Sequence, residues 1–152
     1  ARPSQSGESV WRALFLPGRV RAEERAAMAK ARALLGEVDL APLADEPAKN
    51  LSGGQKKLLE ISRALMLEPK LILLDEPTAG VSPAMTEALA HTILKLRGAG
   101  LTFAIIEHDM DVIARLCAPI FVLAEGRTLM QGSFREVASN GEVMSAYLGK
   151  AA

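Results

Sequence analysis

Cysteine is nearly absent: Cys117 is the sole thiol in 152 residues, so no internal disulfide is possible. A reducing compartment is consistent with that usage. Aromatic residues are scarce at 4%, with a single Trp and a single Tyr, and Ala and Leu supply most of the apolar volume. Neither sign of charge is in excess, since 18 Lys plus Arg balance 18 Asp plus Glu. The balance removes any bulk electrostatic reason to expect nucleic acid or an anionic membrane surface as partner. No apolar run approaches the ~18–20 residues that span a bilayer, and the N-terminus lacks a basic-then-apolar signal pattern. It opens Ala1-Arg2-Pro3 without an initiator Met, which sets the expectation that the chain was cut from something longer. The phosphate-cradling string Gly-x-x-x-x-Gly-Lys-Ser/Thr is missing as well. Gly149-Lys150 is followed by Ala151, and Met144 stands where the first Gly belongs.

What is present is an ordinary globular balance, 49% apolar and 24% charged, enough for a core of useful size. Val10, Trp11, Leu14 and Phe15 suit a short amphipathic helix before Pro17-Gly18. Composition predicts a helix from about Arg21 to Leu35, with Glu23 and Glu24 in a first turn whose dipole favours acids. Residues 41–50 carry Pro42 and Pro47 and form a connector. A second helix is expected from Ser52 to about Leu67, with Leu58, Leu59, Ser62, Leu65 and Met66 on one face. Leu71-Ile72-Leu73-Leu74 is apolar without alternation, as in a parallel strand buried on both faces.

Ser82 and Pro83 then predict the cap and first position of a helix ending near Gly98-Ala99-Gly100. Leu101–Ile106 reads as a second buried strand, and Asp109 as the cap of a helix to about Cys117. A hairpin is expected about Glu125-Gly126-Arg127, followed by short helices around Phe134–Ala138 and Glu142–Leu148. Helices first, then strand–helix–strand–helix, then a hairpin: this order implies an α/β sheet with an α-helical lobe in front.

Three strings carry chemistry. Leu51-Ser52-Gly53-Gly54-Gln55 begins a predicted helix, where free backbone N–H groups and the dipole attract an anion. The two glycines let backbone approach a phosphate, and Ser52 adds a hydroxyl; alone, a Ser-Gly-Gly triplet is most often a capped helix after a turn. Leu71 to Leu74 run straight into Asp75-Glu76-Pro77-Thr78, so carboxylates stand at the carboxyl end of a strand, where open α/β sheets bind ligands. Asp75 offers a hard oxygen to Mg²⁺, and Glu76 can polarise an attacking water. A core strand ending in two solvated acids is an equally simple reading of that string by itself. Glu107-His108-Asp109 ends the next strand, and His108 there is suited to bond a terminal phosphate. A lone His at a strand end is more often a surface residue. These acids and the imidazole are expected at one edge of the sheet.

Together the three strings resemble the ATP-binding-cassette (ABC) family. Ser52, Gly53, Gly54 and Gln55 are similar to its signature motif, Leu71 to Asp75 to its Walker B strand, Glu76 to its catalytic carboxylate and His108 to its switch histidine. Ala79-Gly80-Val81-Ser82-Pro83 occupies the place of its D-loop, with Ser82 where the commonest pattern has Asp. The same stretch, with Ile106-Glu107-His108-Asp109-Met110 and Ala146-Tyr147-Leu148-Gly149, resembles ATPases of branched-chain amino-acid importers; urea importers and lipopolysaccharide exporters share parts of the pattern.

The resemblance implies an α/β fold, a partial P-loop NTPase (RecA-like) core sheet with a helical lobe in front and a short C-terminal helical tail. It implies a helical subdomain at 1–68, the partial ATPase core at 69–132 and the tail at 133–152. It further implies ATP and Mg²⁺ as ligands, with the signature residues contacting nucleotide across a head-to-tail dimer. The partners would be a second ATPase subunit, transmembrane permease subunits and, indirectly, a solute-binding protein, at the cytoplasmic face of the inner membrane; nucleic acid is not among them.

With no Walker A loop, and no candidate for the family's Gln loop, this chain alone is expected to bind ATP weakly or not at all. A soluble repair or translation ABC protein is a competing reading. It would need a long coiled coil ahead of the signature string or basic arms, and neither is seen. A non-catalytic interaction module is the other alternative for the chain by itself.

Overall fold

A computed structural model describes residues 17–148. The short helix expected about Val10 and Leu14 lies outside these residues. The chain divides into two compact units between Ala104 and Ile105, each with its own packing.

The first unit begins with α1 (Pro17–Glu37). The helix starts earlier than its composition suggests, so Glu23 and Glu24 lie beyond the first turn, and Gly36 is accommodated inside the last one. The connector tightens into single 3-10 turns at Ala41–Leu43 and Ala48–Asn50. Helix α2 (Gly53–Leu65) follows directly. Its start is specified by a capping box: the Gln55 N–H donates to the Ser52 hydroxyl at 3.3 Å, and the Ser52 N–H donates to Gln55 Oε1 at 2.8 Å. Two of the orphan donors of the first turn are thereby satisfied reciprocally.

The buried positions of α2 are Gly54, Leu58, Ile61 and Ser62. That stripe is rotated from the expected one: Leu59, Leu65 and Met66 are only half-buried, and Ile61 takes the centre at 2% exposure. Lys30 of α1 donates to the Met66 carbonyl at 3.2 Å and pairs with Glu68, tying α1 to the end of α2. Glu68 is largely exposed, so the ion pair itself contributes little.

Strand β1 (Leu71–Asp75) leads through a loop to α3 (Pro83–Gly98) and on to β2 (Thr102–Ile106). The two strands are hydrogen-bonded neighbours. The Thr102 N–H donates to the Lys70 carbonyl at 3.1 Å. That bond joins the beginning of one strand to the beginning of the other, so they run in the same direction, with α3 as the crossover parallel neighbours require. Ser82 holds the cap position of α3 without a side-chain cap bond, and Pro83 occupies the first turn.

Burial of the strands departs from expectation. Ile72 is buried, but Leu73 is 75% and Ile106 67% exposed. Uninterrupted apolar sequence suits cover on both faces; here β1 and β2 form a two-stranded sheet among the described residues, and alternate side chains of a pleated strand point away from the packed side. Ile72 shares the wall of one groove with Ile61 of α2 and Leu89 of α3, both nearly inaccessible.

In the second unit, Asp109 caps α4 (Met110–Leu116), its Oδ1 accepting from the N–H groups of Asp111 at 2.9 Å and Val112 at 3.2 Å. Strands β3 (Ile120–Ala124) and β4 (Arg127–Gly132) pair antiparallel, with a register irregularity after Val122. Glu125 and Gly126 both have positive φ, 50° and 75°, the two-residue turn whose twist matches a hairpin. Helices α5 (Phe134–Ser139) and α6 (Gly141–Leu148) close the unit over Ile120, Val137 and Val143. The Ser133 hydroxyl and backbone N–H hold the Glu136 carboxyl below its ordinary value. A depressed folded-state value means this cap helps fully above the ordinary Glu range and is lost as pH falls through the depressed value.

Two substitutions test the packing of the first unit by urea denaturation. Ile61→Ala removes a fully buried side chain and should cost about 2–5 kcal/mol. Ser52→Ala removes half of the capping box and should cost about 1 kcal/mol. An Ile61→Ala chain as stable as the parent would contradict a core centred on Ile61.

Candidate functional site

The capped end of α2 differs from an ordinary helix start in its second and third residues. Gly53 is exposed and Gly54 is buried. A side-chain carbon built on Gly53 would meet only the Gly80 carbonyl, at 3.9 Å, so the outer edge of this turn is open. The Ser52 hydroxyl accepts within the capping box, which leaves its own proton for another acceptor. Backbone N–H groups, a hydroxyl and the positive end of a thirteen-residue helix are the groups by which a helix start can receive an anion.

Asp75 is the last residue of β1 and Glu76 the first beyond it, and both are exposed. Glu76 has φ 43°, the left-handed region that side-chain-bearing residues seldom enter. Asp39, Glu68 and Glu125 share a positive φ, so this conformation by itself marks a sharp change of direction and not a function. The turn is closed by backbone bonds: the Ala79 N–H donates to the Glu76 carbonyl and the Val81 N–H to the Thr78 carbonyl, each at 3.1 Å. Pro77 is buried beneath. The chain then passes Gly80, at φ 69°, and enters α3 through Ser82. This brings Gly80 beside Gly53, so the loop after the acids lies against the capped turn within one unit.

A groove of about 300 Å³ runs between α2 and β1 and ends at Asp75. Its wall combines the apolar Ile61, Ile72 and Leu89 with the charged Lys57 and Glu60. Among the described residues no cluster of three His, Cys, Asp or Glu could hold a metal by itself. Asp75 as a single exposed carboxylate fits Mg²⁺, which takes one or two carboxylates together with substrate phosphates and water.

His108 belongs to the second unit, where it is exposed and its backbone N–H donates to Glu107 Oε2 at 3.1 Å. It stands immediately before the Asp109 cap of α4. Sequence reasoning overlooked Met85, which lies against Gly54; no periodicity or motif links the first turn of α3 to that of α2.

The chain was compared with known proteins. Residues 4–79 match the family model described as ABC transporter. The "Probable branched-chain amino acid transport ATP-binding protein LivG" of Archaeoglobus fulgidus is 36% identical over 147 residues, which is 97% of this chain and 56% of that protein. The "Methionine import ATP-binding protein MetN" of Pasteurella multocida is 39% identical over 118 residues, 77% of this chain and 34% of that protein. A solved structure of a nucleotide-free ATP-binding cassette from an ABC transporter superposes with a TM-score of 0.79 at 36% identity, covering 95% of this chain and 58% of the other. The chain thus spans about half the length of the curated branched-chain relatives it matches. No helix among the described residues is long and apolar enough to cross a membrane. With the α/β fold of an ATP-binding cassette and a family match over half its length, the chain belongs to the ABC transporter family.

Proposed function

We propose that the intact protein is the ATP-hydrolysing subunit of an ABC importer, of the branched-chain amino-acid type. The observation that carries this reading is the pair Asp75-Glu76 at the carboxyl end of β1, followed by a loop that returns beside a capped, glycine-bearing helix start. Likeness to the branched-chain relative along 97% of the chain supports the subfamily. The methionine-import relative, matched over 77%, supports a second reading as the ATPase of another amino-acid importer. Urea import and lipopolysaccharide export are further alternatives on resemblance alone. For the chain as it stands, without a Gly-Lys phosphate loop, weak or absent ATP binding and a role as an interaction module is the matching proposal.

In this reading, Ser52 and the N–H groups of Gly53 and Gly54 bond the terminal phosphate of a nucleotide held by a second ATPase subunit, with Gln55 fixing the turn. Asp75 holds Mg²⁺, which neutralises charge on the phosphoryl oxygens. Glu76 orients the attacking water, and His108 bonds a γ-phosphoryl oxygen. Gly80, Val81 and Ser82 form the loop through which the paired sites communicate; Ser82 in place of the common Asp alters the charge offered there. Residues 1–68 act as the helical subdomain that moves on nucleotide closure, residues 69–132 as part of the ATPase core and residues 133–152 as a tail. Permease subunits receive the motion and hold the ATPase pair at the cytoplasmic face of the inner membrane. A solute-binding protein acts through the permease, and nucleic acid has no part.

Nucleotide binding by this chain and by an N-terminally extended one tests the first claim: magnesium-dependent turnover is expected from the extended chain and none from residues 1–152. In the extended protein, Glu76→Gln should retain ATP binding and lower turnover by at least about 100-fold. His108→Ala should lower turnover by about 100-fold. Turnover at the parent rate in either variant would remove that residue from its role.

A further inference from the structure

We propose that Met85 is a positioning residue for the signature turn, and that Gly54 lacks a side chain because Met85 fills the space where its Cβ would stand, while its N–H keeps the role given above. The inference rests on the reading of Ser52–Gln55 as the phosphate-facing turn, and it divides the labour between the two glycines. A carbon built on Gly54 would stand 2.7 Å from Met85 Cβ and 2.9 Å from its Cγ and Cε. On Gly53 the only neighbour within 4 Å is the Gly80 carbonyl, at 3.9 Å. Gly54 is buried and Gly53 exposed. Gly53 therefore keeps an exposed side with the Gly80 carbonyl as its one near neighbour, and Gly54 is covered on its side-chain side by the head of α3.

The nature of the clash makes the contact stiff. Met85 Cε is the far end of a flexible chain and can swing aside, but its Cβ is fixed to the backbone of α3, so relief at 2.7 Å requires the helices to part. Backbone freedom does not explain the residue, because Gly54 sits inside the first turn of α2 with no positive φ. Glycine inside a helix is destabilising relative to alanine, so a specific demand for space is the remaining reason. Met85 stands in the first turn of α3, two residues after Pro83. It thereby sets the distance between the capped turn and the Gly80 loop, and any shift of α2 is passed to that loop directly.

The test is graded compensation in the intact ATPase, read as melting temperature and as kcat and KM for ATP. Gly54→Ala should lower the melting temperature and reduce kcat by about 100-fold, the scale of a misplacement of order 1 Å. Adding Met85→Ala removes Cγ and Cε but leaves Cβ, and should restore both readouts in part. Adding Met85→Gly removes every clashing atom and should restore most of the loss, measured against Met85→Gly alone. Gly53→Ala should leave the melting temperature unchanged while raising KM or lowering kcat. If Gly54→Ala is too unstable to isolate, recovery of soluble protein in the Met85→Gly background supports the contact, and failure to recover it overturns the contact. A kcat loss that persists at full size after Met85→Gly has restored melting would also overturn it, since a phosphate contact would then be the cause. Rescue at Gly54, with neither Gly53→Ala nor Ser52→Asp changing turnover, would keep the contact and reject the signature reading instead.

Discussion

The first turn of α2 must meet two demands with the same few atoms. Its unpaired N–H groups need acceptors, and its outer edge must stay open if an anion is to bind. Ser52 and Gln55 satisfy the first demand by exchanging bonds through their side chains, which costs no space at the outer edge. Gly53 leaves that edge bare, while Gly54 lets the inner edge sit against α3. A helix start capped by a larger side chain, or seated on alanine, would meet one demand at the expense of the other. The position of the neighbouring Gly80 loop follows from this seating.

The acids depend on a different constraint. Parallel neighbours leave β1 with a free carboxyl end, and the chain must turn sharply there to reach α3 on the packed side of the sheet. Glu76 takes a left-handed conformation at that point, with the turn held by bonds from Ala79 and Val81. The conformation is uncommon for a side-chain-bearing residue and persists because the surrounding turn fixes it. Asp75 and Glu76 are thus carried on a short, bonded turn whose other end enters a long helix. That arrangement supports the proposal that each acid has a separate task.

Local chemistry was the most legible part of the sequence. Ser52 and Asp109 both cap the helices their positions foretold, and Glu125-Gly126 makes the hairpin turn, because each depends on atoms within a few residues. The extent of α1 was less legible, since Ala- and Arg-rich sequence extends a helix without a clear start signal. The buried face of α2 was misjudged by a fraction of a turn. Leu59 and Leu65 are as apolar as Ile61, and only the direction from which α3 and β1 approach selects among them. Apolar β1 and β2 promised cover on both faces, yet Leu73 and Ile106 stand open in a sheet that has two strands among the described residues. The contact of Met85 with Gly54 was invisible for the same reason: it joins residues whose proximity is a product of the crossover and not of either helix.

The most direct test of the central claim is a structure of the intact ATPase carrying Glu76→Gln, solved with ATP and magnesium. The Ser52 hydroxyl and the Gly53 N–H of one copy are expected within hydrogen-bonding distance of the γ-phosphate bound by the other, with Asp75 beside the metal. A nucleotide bound with Ser52 and Gly53 facing solvent, or with Asp75 remote from the magnesium, would contradict it.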